Sequence, residues 1–432
     1  MRGDVVLPVV VVGAGPAGLA VASALSSRDL ESVVLDRHTA VGGLWDTTNP
    51  ETACRDDVEL VTSSSQTGYT NVPLNSQVDY PSQAEVLTYL RDFAQQRLGM
   101  AQLRLGVGAD SYCSDSDGRW RIRLSTGDVL RAESLVICTG LYRQPHIPEG
   151  IYPDLQKHNW VHSKEYRPAQ ISPGDKVCVV GGGNSASDVA VSAYRAGAEV
   201  WLKWRSTPWF IPSYVGGRPI DTIEPLLAGV PRQLHGREVQ RQLAAHAAET
   251  RARMEDFSGG SLPSALPYEG PTILGDRLLR LLEERAGVQL APPEGACAPE
   301  FDLVICATGY TTPSDPLGLG VGTADLDATG VVSRSLPGVY MAGNLISEAS
   351  GFSLFSSIAS LISELVECNS KNPHEVKSMI DYFATQEPDL LWGMRRRTKA
   401  SGPQLVYSAA FQASLEGIGS YLQNSVPGRV AF

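Results

Sequence analysis

The chain has 432 residues, a formal net charge of -11 and a hydrophobic content of 43%. This length predicts two or three domains with ample core, and the acidic balance argues against a nucleic-acid partner. The seven cysteines are odd in number and scattered, which gives no disulfide framework. No run of 18 uninterrupted apolar residues occurs and the N-terminus shows no signal-peptide pattern, so we expect a cytoplasmic protein without a membrane span.

A glycine-rich turn follows the first predicted strand, residues 9–12, and opens a predicted helix over residues 17–26. In such a turn the first glycine permits a tight bend, the second lets the backbone approach a pyrophosphate, and the third keeps helix and strand close. The helix N-terminus adds free N–H groups and a partial positive charge. The turn therefore predicts a dinucleotide site with contacts from Gly13, Gly15, Pro16, Ala17 and Gly18.

Two segments downstream extend this first site. Asp36 stands at the end of the next strand, residues 32–35, where its carboxylate can accept hydrogen bonds from an adenosine ribose, and Arg37 follows it. The loop after them contains a glycine pair, which lets the backbone lie close to a ligand. We expect contacts from Gly43, Leu44 and Trp45 of this loop, and a cofactor of the FAD or NAD type.

A second turn of the same design lies 168 residues after the first, between a strand over residues 177–180 and a helix over residues 186–196. Its predicted contacts are Gly181, Gly183, Asn184, Ser185 and Ala186. The ribose position holds no carboxylate, because Trp204 stands there between Lys203 and Arg205. An acid would repel a 2'-phosphate whereas a guanidinium binds it through two nitrogens, so this site is predicted to prefer NADPH to NADH.

The remaining pattern predicts an α/β protein with two Rossmann-like dinucleotide-binding domains, the NADPH domain inserted into the FAD domain. Strand-like runs at 135–138 and 303–306 lead to Thr139-Gly140 and Thr308-Gly309, and a late strand over 337–341 leads to Gly343-Asn344. These three pairs are further candidate cofactor contacts. Alternating stretches near 103–107, 120–124 and 129–132 predict a small antiparallel sheet covering the first domain.

The expected domain boundaries place the first part of the FAD domain at residues 1–160 and the NADPH domain at 161–310, with an insertion near 206–275. The second part of the FAD domain and C-terminal helices are expected at 311–432. The insertion carries several prolines and a charged helical stretch at 237–253, and such insertions often shape a substrate entrance.

These motifs resemble those of the class B flavin-dependent monooxygenases, particularly the flavin-containing monooxygenase branch, over roughly residues 8–365. The linker signature of that family is matched in its second half by His162 and Tyr166, whereas Gln156 and His158 occupy its Phe and Gly positions. Baeyer-Villiger members usually carry Trp, then Pro or Asp, where this chain has Tyr166 and Arg167, which favours heteroatom oxygenation. The family also places an Asn near the flavin, for which residues 70–71 and 62–63 are both candidates.

The resemblance implies FAD and NADPH as cofactors, O2 as co-substrate, and oxygen transfer from a C4a-hydroperoxyflavin to nitrogen, less readily sulfur, of a small molecule. No obligatory catalytic side chain is expected, because the cofactor carries the chemistry, and His162 is interpreted as structural. No metal site is expected, since only His158 and His162 have ligand-like spacing. A homodimer is left open.

Several alternatives stay open or are disfavoured. Baeyer-Villiger oxygenation of a ketone and an NADPH-dependent flavin reductase or oxidase without oxygen insertion both fit the glycine turns. A non-catalytic NADPH sensor is less consistent with two intact turns. A disulfide reductase would need a cysteine pair beside the flavin, and no cysteine has a partner two or four residues away. A serine hydrolase is not indicated, because no Gly-x-Ser-x-Gly elbow follows a strand.

Overall fold

Two sheets carry the two glycine turns. The computed structural model describes residues 6–222, 245, 248–255, 272–291, 300–311, 325–326, 329–347, 350–371 and 404–406. Its α-helices are α1 (Pro16–Ser26), α2 (Gln83–Arg97), α3 (Tyr152–Leu155), α4 (Asn184–Arg195), α5 (Arg277–Glu283) and α6 (Gly351–Lys371). Short 3-10 helices occur at Gly43–Trp45, Ser64–Gln66, Met100–Gln102, Glu149–Ile151, Pro168–Gln170 and Ile220–Thr222.

The first sheet has seven strands: β1 (Val6–Val12), β2 (Ser32–Asp36), β5 (Leu103–Leu105), β6 (Ala109–Ser114), β7 (Trp120–Leu124), β8 (Val129–Ile137) and β20 (Val339–Met341). Their order is β5-β2-β1-β8-β7-β6. The first four strands run parallel to one another, whereas β7 pairs antiparallel with β8 and β6 pairs antiparallel with β7. Strand β20 returns to pair in parallel with the end of β8. The uninterrupted apolar runs of β1 and the end of β8 suit strands covered on both faces.

The prediction of a small antiparallel sheet covering the first domain is wrong in one respect. The antiparallel strands do not form a separate layer but belong to the first sheet. β8 is one continuous strand whose first half pairs antiparallel with β7 and whose residues 131–137 pair in parallel with β1. β5, expected in the small sheet, instead pairs in parallel with β2 at the opposite edge. The alternation of 129–132 and the apolar run of 135–137 therefore belong to one strand that passes from a half-covered to a fully covered region.

The second sheet has five strands, all parallel, in the order β10-β18-β11-β12-β17. They are β10 (Trp160–His162), β11 (Lys176–Val180), β12 (Glu199–Lys203), β17 (Val288–Leu290) and β18 (Leu303–Cys306). All five lie in sequence between β8 and β20. The predicted insertion of one Rossmann-like unit into the other is thus confirmed, whereas the residue boundaries of the domains remain predictions.

Five further sheets contain two strands each. They join β3 (Gly68–Tyr69) to β4 (Val72–Pro73), β9 (Gln144–Pro145) to β19 (Tyr310–Thr311), β13 (Trp209–Ile211) to β16 (Thr272–Leu274), β14 (Tyr214–Val215) to β15 (Arg218–Pro219), and β21 (Leu345–Ser347) to β22 (Gln404–Val406). The chain passes from the first unit to the second between β8 and β10 and returns after β18. The pair β9–β19 joins these two connecting segments. Of the predicted helix at 237–253, residues 245 and 248–253 are described and are helical. The rest of it, and the C-terminal helices expected beyond residue 371, lie outside the described residues.

Helices α1 and α6 pack together on one face of the first sheet, with α2 beside them. α2 begins at a capping box in which Ser82 and Glu85 bond each other's backbone N–H groups. Of the helices described, α6 alone is long and apolar enough to cross a bilayer. It carries Glu364 into the interior, where Arg28 pairs with that carboxylate at 2.7 Å, and most of its apolar side chains are buried in this core.

Candidate functional site

The first glycine turn is packed so tightly that side chains cannot enter it. Gly13 has φ +117°, and a Cβ there would lie 2.3 Å from the carbonyl oxygen of Cys138. A Cβ on Gly18 would lie 1.9 Å from the oxygen of Gly13. The N–H of Gly13 donates to the oxygen of Leu35 at 2.7 Å. The turn is therefore fixed by the ends of β2 and β8, the two strands that flank β1.

The second turn repeats this construction in the second sheet. Gly181 has φ +141°, and a Cβ there would lie 2.2 Å from the oxygen of Ala307. Its N–H donates to the oxygen of Lys203 at 3.1 Å, as that of Gly13 does to Leu35. Ala186 replaces the third glycine and is fully buried. The predicted turns are thus equivalent in backbone geometry, although their sequences differ.

Both turns present helix N-termini without side-chain caps. Gly15 is the N-cap of α1 and Gly183 is the N-cap of α4, and neither helix start receives a side-chain hydrogen bond at its cap. Uncapped N–H groups at a helix start are donors suited to a phosphate. Among the described residues, apart from those adjacent to it in the chain, none has an atom within 4 Å of the position a Cβ would take at Gly183. Asn184, the first residue of α4, also accepts a hydrogen bond through its Oδ1 from the N–H of Leu274 at 2.8 Å.

Asp36 lies at the end of β2, within reach of the first turn. Its Oδ2 accepts from the N–H of Ala14 at 2.6 Å and its Oδ1 from the N–H of His38 at 2.8 Å. The carboxylate is thus held beside the turn by backbone donors. Arg37 is exposed, and its stem lies against Gly108, where a Cβ would stand 3.0 Å from Arg37 Cγ. The structure brings Asp36 to the turn more directly than Arg37.

The loop of Gly43, Leu44 and Trp45 folds back onto the first turn. A Cβ on Gly43 would lie 2.7 Å from the Cα of Gly15, and the N–H of Gly42 donates to the oxygen of Ala14 at 3.1 Å. The late pair also reaches this place, because a Cβ on Gly343 would lie 3.1 Å from that of Ala17. Segments predicted separately as contacts of one cofactor therefore meet around the start of α1.

A buried carboxylate that the sequence analysis missed supports this loop. Asp46 has no exposed side-chain surface, and it accepts hydrogen bonds from the hydroxyl of Thr48 at 2.7 Å and its N–H at 3.0 Å. The Nε2 of His38 lies 3.1 Å from it and a guanidinium nitrogen of Arg91 lies 3.3 Å away. Burial raises the pKa of Asp46, but these hydrogen bonds from Thr48 and His38 outweigh it and hold the pKa below its ordinary value. In the sequence, only its position directly after Trp45 of the predicted cofactor loop indicated a role for Asp46.

The remaining glycine pairs have different surroundings. Gly140 is exposed at φ +76°, and in the described part of the chain only its sequence neighbours come within 4 Å of a Cβ built there. Thr139 precedes it, two residues after the end of β8. Asn344 is buried, and its amide nitrogen donates to the oxygen of Gly330 at 2.9 Å. Its Oδ1 has no hydrogen-bond partner among the described residues. This unpartnered acceptor lies next to Gly343 and so close to the start of α1.

The pair of Thr308 and Gly309 is bound to the linker. The hydroxyl of Thr308 donates to the oxygen of His146 at 2.5 Å, and the oxygen of Gly309 accepts from the N–H of His146 at 2.9 Å. His162 Nε2 also donates to the oxygen of Gly309 at 3.0 Å, while its Nδ1 accepts from the N–H of Lys164 at 3.2 Å. Burial lowers the pKa of His162, in keeping with this neutral tautomer. The contacts support the structural interpretation of His162.

Two cations flank the end of β12 beside the second turn. Lys203 and Arg205 are exposed, and within the described part of the chain neither forms an ion pair with a carboxylate. Trp204 between them turns inward, with its Cδ1 within 3.7 Å of a Cβ built on Gly182 and its ring 6.3 Å from that of Phe210. Their positive charges are available to an anion at this strand end.

The two candidate positions for a polar group near the flavin lie in different places. Ser63 is buried, and its N–H donates to Oδ2 of Asp221 at 2.6 Å. Thr70 and Asn71 are exposed, and the N–H of Thr70 donates to the hydroxyl of Ser356 at 3.2 Å. The segment of Ser63 thus joins the first unit to the segment that enters the insertion, whereas Thr70 contacts α6.

The described thiols are not arranged for disulfide exchange. Cys54 and Cys178 are buried, and burial raises the pKa of each to about 12. Burial also raises the pKa of Cys138 and, to about 11, that of Cys306. The thiolate is the reactive form of cysteine, so these four groups are inert at neutral pH. Among the described residues no three His, Cys, Asp or Glu side chains come together as a metal site.

The family model that matches this chain is described as pyridine nucleotide-disulphide oxidoreductase, and it covers residues 10–225. Indole-3-pyruvate monooxygenase YUCCA1 of Oryza sativa subsp. japonica is 32% identical over 212 residues, which are 48% of this chain and 50% of that protein. Dimethylaniline monooxygenase [N-oxide-forming] 4 of Mus musculus is 30% identical over 233 residues, 50% of this chain and 41% of that protein. The match spans half or less of these relatives.

A solved structure extends the likeness to the whole fold. Cyclohexanone monooxygenase from Rhodococcus sp. Phi1, bound to NADP+, superimposes with a TM-score of 0.71 over 99% of both chains, at 16% sequence identity. This similarity concerns the fold. Together with the relatives it confirms both the predicted resemblance to class B flavin monooxygenases and the predicted pair of Rossmann-like units.

Proposed function

The chain belongs to the pyridine nucleotide-disulphide oxidoreductase family, and we propose that it uses its two glycine turns to hold FAD and NADPH for a monooxygenase reaction. One observation carries the proposal: two turns of equal backbone geometry, fixed by Cys138 in one sheet and by Ala307 in the other, lie in one chain. The inert thiols speak against the disulfide chemistry in the family's description.

The residues around each turn fit the cofactor assigned to it. For FAD, the start of α1 offers N–H donors to the pyrophosphate, Asp36 offers a carboxylate to the ribose, and the loop of Gly43, Leu44 and Trp45 approaches from the other side. The unpartnered Oδ1 of Asn344 offers an acceptor nearby. For NADPH, the start of α4 offers the same donors, and Arg205 with Lys203 offers cations to the 2'-phosphate.

Bound there, NADPH would supply a hydride and FAD would supply the ring that activates oxygen. In the balanced reaction NADPH, a proton, O2 and substrate give NADP+, water and a substrate carrying one added oxygen atom. The chain's own part is to bind and align the two nucleotides, and no side chain is required as acid, base or nucleophile. His162 contributes by fastening the linker to Gly309.

Nitrogen, less readily sulfur, is proposed as the atom that accepts oxygen. Two observations support nitrogen: Tyr166 and Arg167 stand where Baeyer-Villiger members carry Trp and Pro or Asp, and one relative is named for N-oxide formation. The second candidate, oxygenation of a ketone, has its support in the whole-chain likeness to the fold of cyclohexanone monooxygenase.

We also propose that the protein is located in the cytoplasm. Buried protonated thiols and the lack of a cysteine pair support such a reducing compartment.

The test is turnover under 18O2 with the purified, FAD-loaded protein. N,N-dimethylaniline, a thioether and cyclohexanone are each supplied with NADPH, and oxygen uptake is compared with product carrying 18O. Labelled N-oxide in amounts equal to NADPH consumed supports the proposal, whereas labelled lactone alone selects the second candidate. NADPH oxidation that gives hydrogen peroxide and no labelled product with any substrate would identify an oxidase instead.

A further inference from the structure

A partly buried charge cluster joins the two units. It consists of Arg55, Asp57 and Glu59 from the first unit and of Asp188 and Arg277 from the second. None of these residues belongs to either glycine turn. Asp188 lies one helical turn beyond Asn184 on α4, so the two side chains share a face of that helix.

Both side chains of this face hold the same neighbouring segment. Oδ1 of Asn184 accepts the N–H of Leu274 at 2.8 Å, and Oδ1 of Asp188 accepts from a guanidinium nitrogen of Arg277 at 3.0 Å. Leu274 ends β16 and Arg277 begins α5. The segment between them is therefore clamped at two points onto the helix that starts at the second glycine turn.

Arg277 carries the connection across to the first unit. Its other terminal nitrogen lies 3.4 Å from a carboxylate oxygen of Glu59. The Glu59 side chain is 49% exposed, so this contact alone is weak. Asp188 is 17% exposed, and its ion pair with Arg277 is correspondingly less screened by water.

Arg55 supplies a second and more deeply buried link. It is 4% exposed, its Nε donates to Asp57 at 2.9 Å, and its guanidinium lies 5.6 Å from the centre of the Tyr166 ring of the second unit. Its Nη2 is buried without a hydrogen-bond partner among the described residues. The positive charges of Arg277 and Arg55 lower the pKa of Asp188, so Arg55 acts on Asp188 across the boundary between the units.

From this geometry we infer that Asp188 is a positioning residue, which through Arg277 fixes the second glycine turn relative to the first unit. The inference rests on the proposed function, since a fixed separation matters because a hydride must pass between two bound nucleotides. Such a transfer depends steeply on distance and alignment. The Asp188 side chain accepts a hydrogen bond from Arg277, which lies outside both turns.

The charges around Asp188 add a pH dependence. Burial raises its pKa to about 6, Arg277 and Arg55 lower it, and Asp57 and Glu59 raise it. Below pH 6 the protonated carboxyl no longer pairs with Arg277, so the hold on the segment of residues 274–277 weakens. Flavin reduction in the wild-type protein should therefore slow as the pH falls through this range.

The experiment compares Asp188→Asn and Arg277→Gln with wild type in two measurements on the FAD-loaded full chain. The first is the anaerobic rate of flavin reduction by saturating NADPH from pH 5 to 8, and the second is hydrogen exchange in residues 55–60 and 274–277. Asp276→Asn is the matched control, because Asp276 pairs with Arg280 on the same helix at 2.7 Å and does not cross to the first unit.

Asp188→Asn should slow reduction by about tenfold or more at pH 8, abolish the inflection near pH 6, and speed exchange in both segments. Arg277→Gln should do the same, and the double variant should be no slower than either single one. Asp276→Asn should change neither measurement. A wild-type reduction rate and pH profile in Asp188→Asn, or equal slowing in Asp276→Asn, would overturn the inference.

The two proposals fail separately. If NADPH does not reduce the wild-type flavin, the proposed function falls, and hydrogen exchange still decides the positioning role: unchanged exchange in Asp188→Asn refutes it, and faster exchange in both segments supports the link between the units. If Asp188→Asn does not fold, Arg277→Gln removes the other partner of the same ion pair, and unchanged exchange at residues 55–60 and 274–277 in that variant overturns the inference.

Discussion

The carbonyl oxygen of Ala307 occupies the space that a side chain on Gly181 would need, because a Cβ there would lie 2.2 Å away. Cys138 stands in the same relation to Gly13 at 2.3 Å. In each sheet the residue that follows the neighbouring strand, β8 in the first and β18 in the second, leaves no room for a side chain. The first glycine is therefore required by the protein's own packing and not by the ligand alone. The requirement at Gly183 is different, because no described residue beyond its chain neighbours comes within 4 Å of its Cβ position.

These two glycines should consequently fail in different ways. Gly181→Ala combines a collision with a positive φ and should lower the free energy of unfolding by about 1 to 3 kcal/mol as well as weaken NADPH binding. Gly183 has φ -115°, so Gly183→Ala should have a free energy of unfolding within about 1 kcal/mol of that of wild type. This variant should lose only affinity for NADPH. Urea unfolding and NADPH titration separate the two. Equal free energies of unfolding for the two variants would contradict the close packing of Gly181 against Ala307.

Arg205→Ala should reverse the nucleotide preference. Loss of a guanidinium partner for the 2'-phosphate should raise the KM for NADPH by about tenfold or more and leave that for NADH within about twofold. Arg195→Ala, an exposed change at the end of α4, controls for net charge. Steady-state kinetics with both nucleotides provide the measurement, and an unaltered NADPH to NADH ratio would exclude Arg205 from the site.

Asp46→Asn should weaken the retention of FAD and lower the free energy of unfolding by about 1 to 3 kcal/mol, because a buried acceptor of several hydrogen bonds is lost. The pKa of Asp46 is lowered from 3.8, so its stabilising contribution is complete above that pH and is lost as the pH falls through the lower folded-state value. FAD released on dilution is the readout. Asp56→Asn, on the exposed neighbouring loop, should retain FAD; equal retention by both would refute the role of Asp46.

The difference in unfolding free energy between Asp188→Asn and wild type should depend on pH, because Asp188 titrates in the folded protein and Asn does not. The folded-state pKa of Asp188 is raised from 3.8 to about 6, so its stability penalty is absent below the unfolded value, grows between the two values and is constant above pH 6. The full penalty is at most about 3 kcal/mol. Urea unfolding at pH 4.5 and 7.5 should show the unfolding free energy of the variant, relative to that of wild type, increasing with pH, and a constant difference would contradict the raised pKa.

The sequence predicted well whatever depends on neighbours along the chain. The glycine turns, the strands that enter them and the helices that leave them are encoded within about a dozen residues each. The same locality misled the interpretation of β8, where one strand has two patterns because its two halves have different partners. Alternation and apolar runs report what covers a strand, not where the strand ends.

The supporting charge networks could not be predicted because their members are distant in sequence. Asp46 meets Arg91 after 45 residues and Asp188 meets Arg277 after 89. Nothing near Asp188 distinguishes it from a solvent-exposed helix residue until the segment of residues 274–277 folds over it. Asn184 shows the same limit, because its predicted role at the turn is at least shared with a bond to Leu274.

The return of β20 to the end of β8 has a consequence for biosynthesis. A ribosome completes every strand of the second sheet, through Cys306, before it makes residues 339–341 of the first. The inserted unit can therefore fold during translation while the outer one still lacks a strand and the Gly343 turn beside α1. Flavin loading must then await the synthesis of Gly343, and premature termination after residue 311 would release a folded inner unit attached to an unfinished outer one.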